Sequence, residues 1–375
     1  MRQPPPISTH LYSGNLSPQD QTKVVSSGAG LASTVAIESG PELGETVSIE
    51  ARGYWAGVWL RFKRDKIAIA GGIFIVLLVL VAFAGAPIAA KLLGHGPDYQ
   101  FSISATDEGG IPVGPWTRVS TAPYTGAPPP EGLEEWPKTL LILGADGQTG
   151  RDEFLRLLYG AQVSLEVALG AMTIGMVVGV LLGVMAGYFR GWIDALISRI
   201  TEITMAFPYL LFVIALASTV GPRLDDVTFG FLGRGVITLV LVLGIFSWFY
   251  PARIVRAQVL SLREKEFVEA ARMVGASDWR IMRSHLLPHL VAPIIVYSTL
   301  IVAQLILAEA GLSFLGLGIK LPTASWGNLL AVAPDFYTAQ PWLMIWPGAA
   351  VLFTTLAFNL LGDGMRDAFD PRSAH

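Results

Sequence analysis

Six long stretches without a charged residue dominate the sequence, and they limit the chain to very few folds. The first stretch, residues 67–90, has 24 residues, of which 13 are Ile, Leu, Val or Phe. A helix of that length, at about 1.5 Å per residue, exceeds the roughly 30 Å hydrocarbon thickness of a bilayer. The other stretches are residues 167–189, 203–221, 236–252, 290–308 and 341–362. The sequence therefore predicts an all-α membrane protein with six transmembrane helices.

The composition favours a polytopic membrane protein and excludes several other classes. Hydrophobic residues make up 52% of the chain and charged residues 15%, and the mean hydropathy is +0.53. A net charge of −3 argues against nucleic acid as a partner. Because the chain has no cysteine, it has no disulfide, no thiolate metal site and no cysteine nucleophile. We therefore expect membrane lipid to surround the apolar stretches of the chain.

The charges between the apolar stretches predict the orientation of the chain in the membrane. Four basic residues come directly before the first stretch: Arg61, Lys63, Arg64 and Lys66. Residues 253–285 carry seven basic and four acidic residues, whereas residues 91–153 carry four basic and nine acidic residues. Since basic loops stay on the cytoplasmic side, we expect both termini and the 253–285 loop to be cytoplasmic, with residues 91–153 outside.

Four glycines in the second stretch recur at every fourth position: Gly175, Gly179, Gly183 and Gly187. On a helix this spacing places them on one face, where another helix can approach closely. The sequence therefore predicts a helix-packing face there. Glu166 and Glu309 lie at the edges of apolar stretches, and we interpret them as structural rather than as ion sites.

The loop between the fourth and fifth stretches has the pattern of a short amphipathic helix. Its apolar residues fall at i, i+3, i+4 and i+7, namely Phe267, Ala270, Ala271 and Val274. Gly275 can adopt the left-handed conformation that ends a helix, and Ser277 can cap a second short helix. Pro288 fits the first turn of the apolar helix that follows. We predict a helix–turn–helix between two membrane spans, with an apolar stripe that needs a partner.

This loop resembles the EAA loop of permease subunits from ATP-binding-cassette (ABC) importers. The match consists of Glu269-Ala270-Ala271, three residues, Gly275, nine residues and then residues 285–288, with His285 in place of the family's isoleucine. The resemblance implies a coupling helix that docks on a separate ATPase subunit. The residues expected to act in this coupling are Phe267, Glu269, Ala270, Ala271, Val274, Gly275, Leu287 and Pro288.

Further motifs resemble the C-type subunit of the dipeptide and oligopeptide permease branch, over about residues 55 to 372. They are residues 150–152, 156–161, 164–165, 206–208, 256–263, 309–318, 325–327 and 359–367. In two places the chain departs from that branch. Three residues separate Gly144-Ala145-Asp146 from Gly150, and the segment between the first two spans is longer than expected.

The resemblance implies the fold of a type I ABC importer permease with six transmembrane helices and a cytoplasmic coupling helix. It implies four kinds of partner: a second permease subunit, one or two ABC ATPase subunits, an extracytoplasmic solute-binding protein and membrane lipid. It implies no enzymatic activity and no cofactor in this chain, because partner ATPases would bind ATP and Mg. The chain itself has no Gly-x-x-x-x-Gly-Lys-Ser/Thr loop for a nucleotide.

The expected organisation has five parts. They are a disordered cytoplasmic tail (1–50), a cytoplasmic segment with the first span (51–93), an external insertion (94–153), a permease core with five spans and the coupling loop 264–288 (154–363), and a cytoplasmic C-terminal tail (364–375).

Other functions fit parts of the pattern. The same machinery could import nickel chelates or another small solute instead of di- or oligopeptides. An ion-coupled secondary transporter would use Glu166 or Glu309 as its ion site, but the sequence shows no evident inverted repeat. A non-transporting membrane scaffold would leave the set of motifs without an explanation.

Overall fold

A computed structural model describes residues 54–101, 103–122, 128–129, 131–132, 134–228 and 235–370. By its contacts the chain divides into Met1–Ala56 and Gly57–His375. Only three residues of the first unit are described, so the tail predicted for residues 1–50 lies outside the described part of the chain. All of the architecture below belongs to the second unit, apart from the first residues of helix α1.

The described residues form thirteen α-helices and two small antiparallel sheets. The helices are α1 (Tyr54–Phe62), α2 (Lys66–Leu80), α3 (Ala86–Leu93), α4 (Glu153–Phe189), α5 (Gly191–Ala206), α6 (Tyr209–Thr228), α7 (Val236–Ile245), α8 (Phe249–Leu262), α9 (Glu266–Met273), α10 (Asp278–Arg280), α11 (Leu287–Phe314), α12 (Trp326–Val332) and α13 (Trp342–Phe369). The strands are β1 (Thr117–Ser120), β2 (Lys138–Leu141), β3 (Ala145–Asp146) and β4 (Arg151–Asp152).

Five helical segments in the described residues are long and apolar enough to cross a membrane, which confirms the predicted all-α membrane class. They are Lys66–Leu93, Glu153–Phe189, Val236–Leu262, Asp278–Phe314 and Trp342–Phe369. The first contains a π-helical turn at Val81–Gly85. The second begins earlier than predicted because Asp152 caps the helix ahead of the apolar stretch. The last continues through Phe369, into the predicted C-terminal tail.

The third predicted span is not one straight helix. Helices α5 and α6 meet at an angle of 88°, and they give a sixth span only if the bent pair is counted as one. The break lies at Phe207 and Pro208. Phe207 is extended (φ −84°, ψ 140°), as expected for a residue before proline, and Pro208 has no N–H with which to continue the ladder of α5. An uncharged run does not reveal such a bend.

Helix α4 lies at the centre of the helix bundle. It packs against α7, α8 and α11, while α13 packs against α2 and α11. The main apolar core lies between these helices. Among its fully buried side chains are Leu165, Leu239, Leu243, Ile306 and Trp326. Burial of that apolar surface within the bundle holds the helices in register by close packing.

The four glycines of α4 lie along α7 and α8. A Cβ added at Gly179 would lie 2.7 Å from the Trp248 carbonyl oxygen, and one at Gly183 would lie 2.6 Å from that of Ala252. A Cβ added at Gly187 would lie 2.7 Å from Cβ of Val259, and one at Gly175 would meet Gly244 and Ser247. Helix α4 therefore lies nearer to α7 and α8 than any side chain at these four positions would allow.

The insertion between α3 and α4 packs on the N-terminal end of α4. Strands β1 and β2 pair in antiparallel register, with Thr117 opposite Leu141, and β3 and β4 form a second hairpin. A small apolar core holds this segment together: Phe101, Ala105, Val119, Leu141 and Ala145. The segment thus has a hydrophobic cluster of its own at one end of the bundle.

Candidate coupling site

Helix α9 has a well-defined end at Gly275. The Ala276 N–H donates to the Ala271 carbonyl and the Gly275 N–H donates to the Arg272 carbonyl, at 3.0 and 2.9 Å. This is the Schellman pattern, which requires a left-handed residue after the helix. Gly275 provides it, with φ of +83°, as predicted from the sequence. The chain reverses there without strain because glycine has no Cβ.

The second half of the loop also follows the sequence prediction. Ser277 caps α10, and its Oγ accepts a hydrogen bond from the Arg280 N–H. A π-helical segment, Ile281–Leu286, joins α10 to α11. Leu287 is the first residue of α11, and Pro288 occupies its first turn, where a missing N–H has no cost. The helix–turn–helix predicted between two spans is confirmed.

The predicted apolar stripe on α9 does not form one face. Val268, which lies outside that stripe, is fully buried, and Ala271 is half-buried beside it. Both pack on a cluster formed by α4, α8 and the start of α11. Ala270 and Val274 instead point away from this cluster and are exposed. The buried face of α9 is the one that carries Val268, because this side chain packs in the cluster. The spacing i, i+3, i+4, i+7, counted from Phe267, does not include Val268.

The outer side of the loop carries exposed apolar side chains. Val274 is 89% exposed, Met273 is 83% exposed and Trp279 is 64% exposed. Glu269 and Ala270 are exposed on the same helix. Large apolar groups at the end of a membrane bundle favour contact with a partner over contact with water.

Tyr188, at the last turn of α4, fixes the loop to the bundle. Its hydroxyl donates a 2.6 Å hydrogen bond to Asp278 Oδ1, at the start of α10. The guanidinium groups of Arg272 and Arg263 lie 5.4 and 5.9 Å from its ring centroid. Arg263 also donates to the Tyr188 carbonyl oxygen. The sequence analysis missed this residue, because only the fold brings Tyr188 to residues of the loop.

Two further contacts fix the edges of the loop. The Phe267 ring stacks on His289 of α11, with centroids 4.9 Å apart and planes at 10°. Arg190, directly after α4, forms an ion pair with Glu264, which lies two residues before α9 begins. Of the predicted coupling residues, Phe267 and Ala271 therefore contact the bundle, while Glu269, Ala270 and Val274 remain on the outer surface.

At the opposite end of α4, buried charges join the insertion to the bundle. Arg151 Nε and Arg156 Nε lie 3.1 and 2.7 Å from the Asp146 carboxylate. Arg156, itself buried, also donates from Nη1 to Asp98 Oδ1 at 3.2 Å and to the Pro322 carbonyl at 3.1 Å. The motif at residues 150–152, Gly-Arg-Asp, therefore has a structural role here, because Arg151 pairs with Asp146.

Asp152, the last residue of that motif, caps α4. Its Oδ1 accepts hydrogen bonds from the N–H groups of Phe154 and Leu155, at 2.9 and 3.3 Å. Its Oδ2 lies 3.6 Å from Nε2 of His95, which is too far for a hydrogen bond. Burial raises the pKa of Asp152 to about 6, and burial lowers the pKa of His95. Burial thus shifts each group toward its neutral form relative to the same group in water.

Asp152→Asn is expected to remove a pH-dependent loss of stability. A folded-state pKa raised from about 3.8 to about 6 means that the folded chain binds the proton more tightly than the unfolded chain. The associated stability is present below pH 4 and is lost as the pH rises to 6, by about 3 kcal/mol at most. Asparagine keeps the cap and does not titrate.

The measurement is the thermal unfolding midpoint of the detergent-solubilised chain between pH 4.5 and pH 7. The stability of the wild-type chain is expected to decline over this interval relative to the Asp152→Asn variant. Parallel curves for the two proteins would show that Asp152 titrates normally.

Glu309 is fully buried near the C-terminal end of α11, and its carboxylate is hydrogen-bonded on both oxygens. Ser164 Oγ of α4 donates to Oε2 and Ser313 Oγ donates to Oε1, each at 2.7 Å. The Trp326 N–H of α12 is 3.4 Å from Ser164 Oγ. The carboxylate therefore joins α4, α11 and α12, as expected of a structural group. Glu166 accepts from Gln162 Nε2 at 2.9 Å.

Residues 179–375 match the family described as "Binding-protein-dependent transport system inner membrane component". The chain belongs to this family. Its fold is that of a type I ABC importer permease, and it is a multi-pass protein of the inner membrane. Residues 53–107 match a second family, the "N-terminal TM domain of oligopeptide transport permease C".

Curated relatives of this permease cover nearly the whole chain. The oligopeptide transport system permease protein OppC of Escherichia coli K12 is 36% identical over 328 residues, 88% of this chain and 94% of OppC. The glutathione transport system permease protein GsiD of Salmonella typhimurium LT2 is 38% identical over 323 residues, 86% of this chain and 92% of GsiD. A chain of the MetNI methionine ABC transporter aligns with 19% identity and a TM-score of 0.46, covering 58% of this chain and 97% of that chain.

Proposed function

We propose that this permease is the C-type membrane subunit of an ABC importer that carries dipeptides or oligopeptides into the cell. The observation that carries the proposal is the α9–α10 loop. It is held against α4, α8 and α11 on one side, and it presents Val274 and Met273 on the other. Such a loop can transmit a force from a docked partner to the spans. Relatives named for oligopeptide and glutathione transport support a peptide as the substrate.

In the proposed complex, a second permease subunit completes the path, and an extracytoplasmic binding protein delivers the peptide to it. One or two ATPase subunits bind ATP and Mg, so this chain needs no cofactor and performs no catalysis. Both termini and the coupling loop face the cytoplasm, in agreement with the basic residues at 253–285. Closure of the ATPase pair moves the docked loop, and the attached spans then change access from one side to the other.

The predicted coupling residues have separate roles in this proposal. Glu269, Ala270 and Val274 are exposed and contact the ATPase, where the small Ala270 allows close approach. Phe267 and Ala271 hold α9 on the bundle. Gly275 makes the turn that the loop requires, and Leu287 with Pro288 starts α11, to which motion of the loop passes.

Co-purification and transport together test this function. The chain is purified from its native membrane in mild detergent, and associated proteins are identified by mass spectrometry. We expect a second permease, one or two ATPases with nucleotide-binding loops and a solute-binding protein. Proteoliposomes of this complex are expected to accumulate trialanine only with ATP and the binding protein. Recovery of the chain alone, with uptake driven by an ion gradient, would refute the proposal.

Glu309→Gln is expected to leave ATP-driven uptake within about twofold of the wild type. The amide keeps a hydrogen-bonding group of the same shape beside Ser164 and Ser313, and no proton transfer is needed in an ATP-driven importer. Glu309→Leu serves as the contrasting variant. It leaves two buried hydroxyl groups without their acceptor, at about 1–3 kcal/mol each, and should lower thermal stability. Loss of uptake in the glutamine variant with normal stability would instead indicate an ion site.

A further inference from the structure

The bend between α5 and α6 opens onto a cavity of about 340 Å³. Its walls come from the end of α5, the start of α6, the turn between α7 and α8, and the middle of α11. The turn between α7 and α8, residues 246–248, is also not helical. Two interrupted spans therefore face one cavity. Non-helical backbone at membrane depth is tolerated only where it is buried in protein or lines a water-filled space.

Polar groups without partners also line this cavity. They are the side chains of Tyr209, Tyr250, Tyr297 and Gln304. Within the described part of the chain, none of these side chains forms a hydrogen bond. Gln304 is exposed although it lies within the span Asp278–Phe314. Lipid tails cannot form hydrogen bonds with an amide or a hydroxyl, and leaving one unpaired in an apolar medium is unfavourable. These groups therefore point to a polar occupant.

The remaining walls are apolar and aromatic. Phe207, Phe246 and Phe249 contribute rings, and Ile301, Leu305 and Ala308 contribute aliphatic surface. No charged side chain lies among the described lining residues. The volume falls within the range of about 300–1,000 Å³ that is usual for small-molecule sites. A ligand that fits has amide donors and acceptors, carries apolar side chains and needs no fixed counter-charge.

We propose that this aromatic cavity is a transit site for the transported peptide, resting on the proposed function. Gln304 and the tyrosine hydroxyls exchange hydrogen bonds with the peptide's amide groups, whatever its sequence. The phenylalanine rings accept its side chains. Because no charge holds the peptide termini, the site binds weakly, as a path through a membrane requires.

A single introduced thiol tests this site, because the chain has no cysteine. Gln304→Cys is compared with Leu307→Cys, one turn further along α11, which is 54% exposed and does not line the cavity. Both variants are assembled in the complete importer in proteoliposomes and treated with a water-soluble, cationic methanethiosulfonate. Gln304→Cys is expected to react at least tenfold faster than Leu307→Cys, and transported trialanine with ATP is expected to slow its reaction at least threefold.

A second variant keeps the proposal testable if the thiol impairs assembly. Ala308→Phe fills part of the cavity, and Leu307→Phe adds the same ring outside it. We expect Ala308→Phe to reduce uptake of triphenylalanine at least threefold more than uptake of trialanine, whereas Leu307→Phe leaves this ratio unchanged.

The outcomes separate the site from the function. If wild-type proteoliposomes fail to take up trialanine, the proposed function itself is wrong. If they take it up but Gln304→Cys is as unreactive as Leu307→Cys in the complete importer, a helix of the second permease fills the cavity and the transit site is refuted. An unchanged uptake ratio in Ala308→Phe refutes it as well.

Discussion

Val274→Asp is expected to abolish ATP-driven uptake while the chain remains folded and inserted. Val274 is 89% exposed, so the free subunit tolerates a carboxylate at this position. In the docked complex the same carboxylate would lose its hydration and would be buried in an interface without a basic residue to pair with it. This costs about 3 kcal/mol, which lowers the docking constant on the order of 100-fold. Uptake of trialanine and binding-protein-stimulated ATP hydrolysis, both measured in proteoliposomes, should fall together.

Val274→Leu is the matched control, because it keeps an apolar surface at the same position and should retain uptake. Gly275→Pro extends the test to the turn. Proline cannot adopt the φ of +83° found here, and it removes the N–H that donates to Arg272. Normal coupled uptake in Val274→Asp would place the docking surface elsewhere on the loop.

Gly183→Val is expected to separate α4 from α8 and to destabilise the bundle by about 3 kcal/mol. A Cβ at Gly183 would lie 2.6 Å from the carbonyl oxygen of Ala252 and 2.9 Å from Cβ of Val255. Backbone cannot move aside as a flexible side chain can, so the helices must part. The thermal unfolding midpoint of the purified chain measures the loss.

Gly311→Val is the control for this change. Gly311 lies in α11, and a Cβ there would meet nothing within 4 Å. Since glycine is a poor helix former, this substitution should be neutral or slightly stabilising. Similar losses in both variants would show that helix flexibility, rather than close packing of α4 on α8, explains the glycines.

The features that were predicted correctly depend on local physics. The apolar stretches are long enough to span a bilayer whatever they pack against, so the sequence places most of the spans. The Ser277 cap and the Gly275 turn were also predicted from local sequence. The hydroxyl of Ser277 alone caps α10, and the positive φ angle of Gly275 alone ends α9. The glycine spacing likewise defines a face of α4 before its partner is known.

The features that were missed depend on tertiary contacts. Hydropathy measures the free energy of transfer to lipid and contains no information about the direction of the helix axis. It therefore could not distinguish the α5–α6 bend from a straight span. On α9 the inward residue is Val268, because the cluster at the end of α4 sets which side is buried. Tyr188 and Asp278 are 90 positions apart, and nothing in their local sequence indicates that they pair.

The Asp146–Arg156 pair shows a further limit. Asp146 is one of the nine acidic residues in the 91–153 segment that predicted its orientation, yet its carboxylate is buried and paired with Arg151 and Arg156. A count of charges could not predict that this carboxylate would attach the insertion to α4 through Arg156.

Helix α4 has 37 residues and no internal break, so it extends about 55 Å. Its first turn is tied to the insertion by Arg156, and its last turn is tied to the coupling loop by Tyr188. A rigid rod of this length that tilts by about 10° moves its far end by about 10 Å. In the proposed complex, arrival of a binding protein on one face of the membrane would therefore be transmitted mechanically to the other face, through a single covalent element and without a relay of side chains.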